Sequence, residues 1–158
     1  MSRFTGTVDL LGPVDAEAIR DWITAIDFED WPQQTRLDDG GIRPAMVTDL
    51  MWHGFATVVG PVVDQVMAEF PGARTQNLMM TVVMPGHSIP PHIDQQPPHW
   101  LGRVHIPLTT NDESRFIVGD EHHHMDVGSA YIVNTEVTHA VENNGATPRI
   151  HFMFDVVA

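Results

Sequence analysis

The chain has 158 residues with no cysteine and no lysine, a size that suits one domain able to bury about two-thirds of its unfolded surface without covalent staples. The missing residue types exclude disulfides, iron–sulfur clusters, thiolate zinc sites, cysteine nucleophiles, Schiff-base chemistry and a phosphate-loop lysine. A formal net charge of −13 argues against nucleic acid and anionic membranes as partners, no apolar run approaches the ~20 residues of a membrane span, and the opening Met-Ser-Arg-Phe-Thr-Gly-Thr is not a signal peptide, so a cytoplasmic protein is expected.

Arg3 to Leu11 alternates loosely and reads as a first strand ended by Gly12-Pro13. Asp15 follows as a helix N-cap, with Glu17 favourable in the first turn. Ile19, Trp22, Ile23 and Ile26 then recur at i, i+3, i+4 and i+7, one apolar helix face. Residues 28–44 form a long polar, turn-rich loop in which Trp31 and Arg36 are candidate substrate contacts, although an anchoring tryptophan on a surface loop is the plainer reading. Residues 46–59 are apolar and ambiguous between strand and buried connection. Gly60-Pro61 reads as the start of a second helix with proline at its first position, carrying Val63, Val66, Met67 and Phe70 on one face and stopped by Pro71-Gly72.

From Arg74 the pattern turns to β. Gln76 to Met84 is a nearly continuous apolar strand. Short strands follow at 103–108, 115–118, 123–127, 129–134, 139–142 and 149–157, separated by the turn signals Asn111-Asp112-Glu113, Gly119-Asp120, Gly128 and Asn144-Gly145. About eight short strands after two amphipathic helices predict a mainly β fold. The expected form is a double-stranded β-helix, or jelly roll, of cupin-like type with the two N-terminal helices packed on one sheet. The whole of 1–158 is then a single domain, with 1–73 a helical and loop support region and 74–158 the jelly-roll core.

The chemistry concentrates in Met84 to His151. On a strand, residues i and i+2 face the same way roughly 6.6 Å apart, so His92 and Asp94 can reach one metal ion. His139, 45 residues after Asp94, completes a set if the fold returns it. Two imidazoles and one carboxylate on one side of an ion leave the other side open, the facial triad of non-haem Fe(II) oxygenases; zinc accepts the same donors. Pro85-Gly86 and Pro90-Pro91 are turn and edge-strand punctuation, which places His92 at the start of a new short strand. Arg149 lies ten residues after His139. A guanidinium at an inward strand position needs an anion, because an unpaired buried charge is costly; Asp155 and a dicarboxylate cosubstrate are the two candidates, the latter matched by bidentate hydrogen bonding.

Neighbouring histidines carry less. In His122-His123-His124 the side chains alternate across a strand and cannot all bind one metal, so a solvated run is expected. His99, after Pro97-Pro98, is a candidate substrate contact on a loop, and His151 reads as a core histidine or a hydrogen-bond donor behind the site. Met79, Met80, Met84 and Met153 read as core fillers.

The order His92-x-Asp94, Arg103-x-His105, His139, Arg149 resembles the aspartyl/asparaginyl β-hydroxylase family of Fe(II)/2-oxoglutarate dioxygenases over about 78–156. The resemblance implies His92 and His139 as iron ligands and Arg149 on the distal carboxylate of 2-oxoglutarate. It places Thr81 beside that arginine, and Arg103 with His105 at the other end of the cosubstrate. The animal peptide hydroxylases of the family lack the carboxylate ligand, whereas Asp94 stands in that place here, which makes the catalytic set His92, Asp94 and His139. The implied activity is hydroxylation of an amino acid, free or peptidyl, using Fe(II), 2-oxoglutarate and O2. The same histidine-rich stretch also looks like the first cupin motif without its later glutamate, so the alternative is a cupin-type metal-dependent enzyme or a small-ligand-binding protein that does not use 2-oxoglutarate. A non-catalytic interaction protein on this scaffold is a third reading. Neither needs Arg103, His105 and Arg149.

Overall fold

The computed structural model of the chain describes residues 6–32, 37, 40–46 and 54–158. The elements in chain order are β1 (Val8–Pro13), α1 (Glu17–Thr24), a 3-10 turn (Phe28–Asp30), β2 (Ile42–Met46), α2 (Phe55–Met67), β3 (Arg74–Val83), β4 (Ser88–His92) and β5 (Trp100–Thr109). They continue with β6 (Ser114–Val118), β7 (Glu121–His123), β8 (Ser129–Val133), β9 (His139–Asn143) and β10 (Arg149–Val157). The strands form two antiparallel sheets, one ordered β1-β8-β5-β10-β3-β2 and the other β4-β9-β6-β7. The segment before residue 74 therefore supplies strands at both edges of the larger sheet as well as the helices.

Strand alternation sorts the larger sheet into two faces. Met80 and Val82 of β3, Val104, Ile106 and Leu108 of β5, and Ile150, Phe152, Phe154 and Val156 of β10 share one core with Ile19 and Ile23 of α1 and Val59, Val62 and Val66 of α2. Many of the intervening residues are polar. Thr81, Arg103, His105, Arg149, His151 and Asp155 are all buried. A second apolar cluster joins Val83 and Val133 of the larger sheet to Phe116, Val118 and Val141 of the smaller one. So one face of the central strands is sealed by helices and the other is committed to a polar interior.

Several boundaries differ from the sequence expectations. Helix α1 starts one residue late: Ala16 is the N-cap and Asp15 instead accepts from the Glu17 amide at 3.3 Å. Helix α2 starts at Phe55, behind Gly54 at φ 80°, and Pro61 lies inside it. Its buried stripe is Val59, Val62 and Val66, so burial of Val59 extends the helix across a proline that by itself reads as a start. His92 ends β4 instead of beginning a strand. The pair Pro90-Pro91 is tolerated inside β4 because β4 is an edge strand. His53 and the stretch 47–53 lie outside the described residues.

Candidate metal and cosubstrate site

Strand pairing brings the distant histidine back. His92 and His139 are direct partners in the β4–β9 ladder, and their ring centroids are 4.3 Å apart. Asp94 follows just beyond β4, its amide donating to the Thr135 carbonyl at 3.3 Å. His92, Asp94 and His139 each offer a ligand atom, all within 4.8 Å of one another, and they are the one such group of three among the described residues.

Backbone carbonyls select the imidazole atoms that face this cluster. His92 Nδ1 lies 2.8 Å from the Pro90 carbonyl, and His139 Nδ1 lies 2.9 Å from the Val137 carbonyl. A carbonyl only accepts, so both Nδ1 atoms carry a proton, and in the neutral imidazoles that bind metal Nε2 is the atom with the lone pair. Those Nε2 atoms sit 3.2 Å from Asp94 Oδ1 and 3.5 Å from Oδ2 respectively. Two lone pairs converging on a carboxylate fit a divalent cation between them, and the hydrogen-bonded Nδ1 is the usual support of a metal-binding histidine. Burial works to raise the Asp94 carboxyl, but a hydrogen bond from Nε2–H of a protonated His139 and the charge of Arg103 outweigh it and hold the carboxyl below its ordinary range.

Arg103 and Arg149 both project from the larger sheet into this region, with different company. Arg103 forks onto Asp155, Nε to Oδ1 and Nη2 to Oδ2 at 2.9 Å each, and its Nη1 donates to Asp94 Oδ2 at 2.7 Å. All three of its nitrogens are thus engaged by carboxylates, and the residue still lines the cavity that holds the ligand cluster. Burial opposes its charge, but the hydrogen bonds and charge of Asp155 prevail and raise its guanidinium above the ordinary value.

Arg149 is 3% exposed and forms no ion pair among the described residues. Its Nη2 donates to His151 Nδ1 at 3.0 Å, and burial pushes its guanidinium down to about 9. The expected alternative partner, Asp155, is taken by Arg103. His151 Nδ1 also meets His105 Nδ1 at 3.2 Å. An arginine only donates, so His151 Nδ1 is an acceptor and His105 Nδ1 carries a proton. Burial and then the charge of Arg149 keep both imidazoles neutral, well below their ordinary range. His105 Nε2 is left as an acceptor with no hydrogen-bond partner among the described residues.

These groups line one cavity of about 170 Å³ between the sheets, bounded by His92, Asp94 and His139 on one side and Arg149, His105, Arg103 and Thr81 on the other. Its remaining walls are apolar: Ile42 and Pro44 of β2, Met79 of β3, Ile89 of β4, Phe116 of β6, Val141 of β9 and Met153 of β10, with Leu37 at the rim. Met79 and Met153 are therefore cavity walls and not simple fillers; both share a strand face with Thr81 or His151, the one signal in the sequence that could have shown it. Trp31, a candidate substrate contact, is 1% exposed inside the helix-side core and packs edge-on to Phe28, because the helices need a large apolar filler there. His99 is exposed at φ 60° and does not line the cavity. Arg36 lies outside the described residues.

The family model for Aspartyl/Asparaginyl beta-hydroxylase matches residues 56–158. No curated protein matches the chain by sequence. Among solved structures, AviO1 from Streptomyces viridochromogenes Tue57 aligns at TM-score 0.69 and 10% identity, covering 96% of this chain and 90% of that one. An oxidoreductase of the 2OG-Fe(II) oxygenase family from Burkholderia pseudomallei aligns at TM-score 0.62 and 15% identity, covering 96% and 84%. A viral collagen prolyl hydroxylase from Paramecium Bursaria Chlorella virus-1, in complex with 2OG, aligns at 0.61 and 10%, covering 98% and 97%. At such identities the likeness is one of fold.

Proposed function

As the chain belongs to the aspartyl/asparaginyl β-hydroxylase family, an Fe(II)- and 2-oxoglutarate-dependent dioxygenase family, we propose that it hydroxylates an amino acid, free or within a peptide or protein. Two antiparallel sheets enclosing the site, with both helices on the outer face of the larger one, support a double-stranded β-helix. His92, Asp94 and His139 would hold the iron through Nε2, one carboxylate oxygen and Nε2. Iron bound with 2-oxoglutarate and O2 supplies the oxidising power to hydroxylate an unactivated C–H bond.

One observation carries the cosubstrate reading. Arg149 is a buried cation with a neutral histidine as its hydrogen-bond partner and no carboxylate, in the same cavity as the ligand cluster. A buried unpaired charge is expensive, and a carboxylate seated on it relieves that cost. His151 holds the guanidinium in place from behind, and Thr81, opposite His151 in the β3–β10 ladder, puts a hydroxyl on the same wall. The apolar cavity walls exclude water and strengthen the pair. Asp155, the other candidate anion for Arg149, is taken by the Arg103 fork.

The test is succinate formation from 2-oxoglutarate by the Fe(II)-loaded protein, with candidate amino acids and peptides screened for stimulation. Stimulated succinate release with a hydroxylated product supports the proposal. Absence of 2-oxoglutarate binding by the metal-loaded protein overturns it.

A further inference from the structure

Asp155 lies outside the ligand set and does not line the cavity, yet it is the most heavily bonded carboxylate near it. It is fully buried. Besides the two bonds from Arg103, it accepts from Trp100 Nε1 at 3.0 Å and from Asn77 Nδ2 at 2.8 Å. The backbone is shaped to deliver the second of these. Between the pairs Met153–Met79 and Asp155–Gln76, β10 contributes one residue and β3 contributes two, a bulge. Asn77 sits in that bulge at φ 51°, the left-handed conformation that asparagine tolerates better than most residues. Bulges re-aim side chains beside functional sites, and this one turns an amide onto Asp155.

We propose that Asp155 is a positioning residue for the metal site: acting through Arg103, it fixes Asp94 so that a single chosen oxygen is presented to the cation. The proposal rests on the reading of His92, Asp94 and His139 as metal ligands. Arg103 and Asp155 face each other directly across the β5–β10 ladder, so the fork has little freedom. With Nε and Nη2 held by Asp155, only Nη1 reaches Asp94, and it takes Oδ2 at 2.7 Å. Oδ1, 3.2 Å from His92 Nε2, is left as the ligand atom. Charge completes the device. Asp155 neutralises Arg103, so the arginine orients Asp94 without cancelling the negative charge the metal needs. Without Asp155, the free fork can close on both Asp94 oxygens and compete with the cation.

The test is anaerobic titration of Fe(II), with Co(II) as a spectroscopic stand-in, into the full chain and three variants, with melting temperatures alongside. Asp155→Asn should weaken metal affinity on the order of 10- to 100-fold and change the Co(II) absorption bands. Asn77→Gly removes the outer amide while keeping a residue that accepts φ 51°, and should show a smaller loss in the same direction. In an Asp94→Asn background, adding Asp155→Asn should cost almost no further affinity, because residues acting through one another are non-additive. Parent-like affinity in Asp155→Asn overturns the proposal, as does an equal fold-loss with and without Asp94, which marks a merely structural pair. If Asp155→Asn does not fold, Asn77→Gly decides alone, and parent affinity in it overturns the proposal. Failure of the parent to bind one equivalent of metal is a separate result: it removes the ligand assignment itself and this inference with it.

Discussion

Arg149 and Asp155 stand on the same face of β10 and yet never meet. Six residue steps along the strand separate them by roughly 20 Å, and the carboxylate pairs across the sheet with Arg103 instead. Arg149 is thereby left as a buried cation held by a neutral histidine. Arg149→Ala should weaken 2-oxoglutarate binding roughly 30- to 5000-fold, since losing one partner of a buried charge pair costs about 2–5 kcal/mol. Arg149→Lys should recover part of this, because an ammonium cannot reproduce the fork. Calorimetric titration of the cosubstrate into oxygen-free, metal-loaded protein measures both, and iron affinity should be unchanged. Equal tight binding in parent and Arg149→Ala removes the arginine from the site.

The same unpaired charge predicts a stability effect of opposite sign. An unpaired buried charge is costly, and even buried ion pairs are often improved on by apolar residues of similar volume, by about 1–4 kcal/mol. Without cosubstrate, Arg149→Met should therefore melt at a higher temperature than the parent. Saturating 2-oxoglutarate should raise the melting temperature of the metal-loaded parent and leave the variant where it was. A variant that melts lower in both conditions shows that Arg149 is already satisfied within the fold.

The ligand set has little redundancy. His92→Ala and His139→Ala should each abolish productive iron binding, and Asp94→Ala should be severe. Iron titration and succinate assays on the three purified variants check this; full activity in either histidine variant ends the assignment.

His105 and His151 set a pH dependence. Burial, then the charge of Arg149, holds both imidazoles well below their ordinary range. In the unfolded chain they take up protons near pH 6.5, while the folded chain leaves them neutral. The unfolded state therefore binds more protons below that pH, and folding stability must fall as pH drops from about 6.5 toward the depressed folded values. Urea midpoints at closely spaced pH values between about 7.5 and 5 measure the slope. The slope should be shallower in His105→Gln, which has no imidazole to protonate.

Trp31 belongs to the fold and not to the substrate. Truncating a buried aromatic costs about 3–5 kcal/mol, so Trp31→Ala should destabilise by that order, while the milder Trp31→Phe should keep the parent's 2-oxoglutarate affinity. Denaturant unfolding and calorimetry separate the two effects; a cosubstrate or substrate defect in a stable Trp31→Phe protein would place the residue back at the site.

Much of this was legible in the chain itself. The His92-x-Asp94 pair, His139 and Arg149 could be singled out because metal ligands and anion clamps demand particular side chains, and residue type is a local property. The alternating strands and the α1 face were legible for the same reason, since period 2 and period 3.6 are written into neighbouring residues. Tertiary structure alone decided which partners meet. Nothing local distinguishes Arg103 from Arg149 as the partner of Asp155; the β5–β10 register does. Nothing local shows that His92 lies directly opposite His139, or that carbonyls two residues upstream hold each Nδ1. Trp31 read as a loop residue because its neighbours are polar, and only the helices packing over the larger sheet put it in the core. Register and layer packing join residues tens of positions apart, and it was this pairing that left Arg149 the one site arginine with no carboxylate among the described residues.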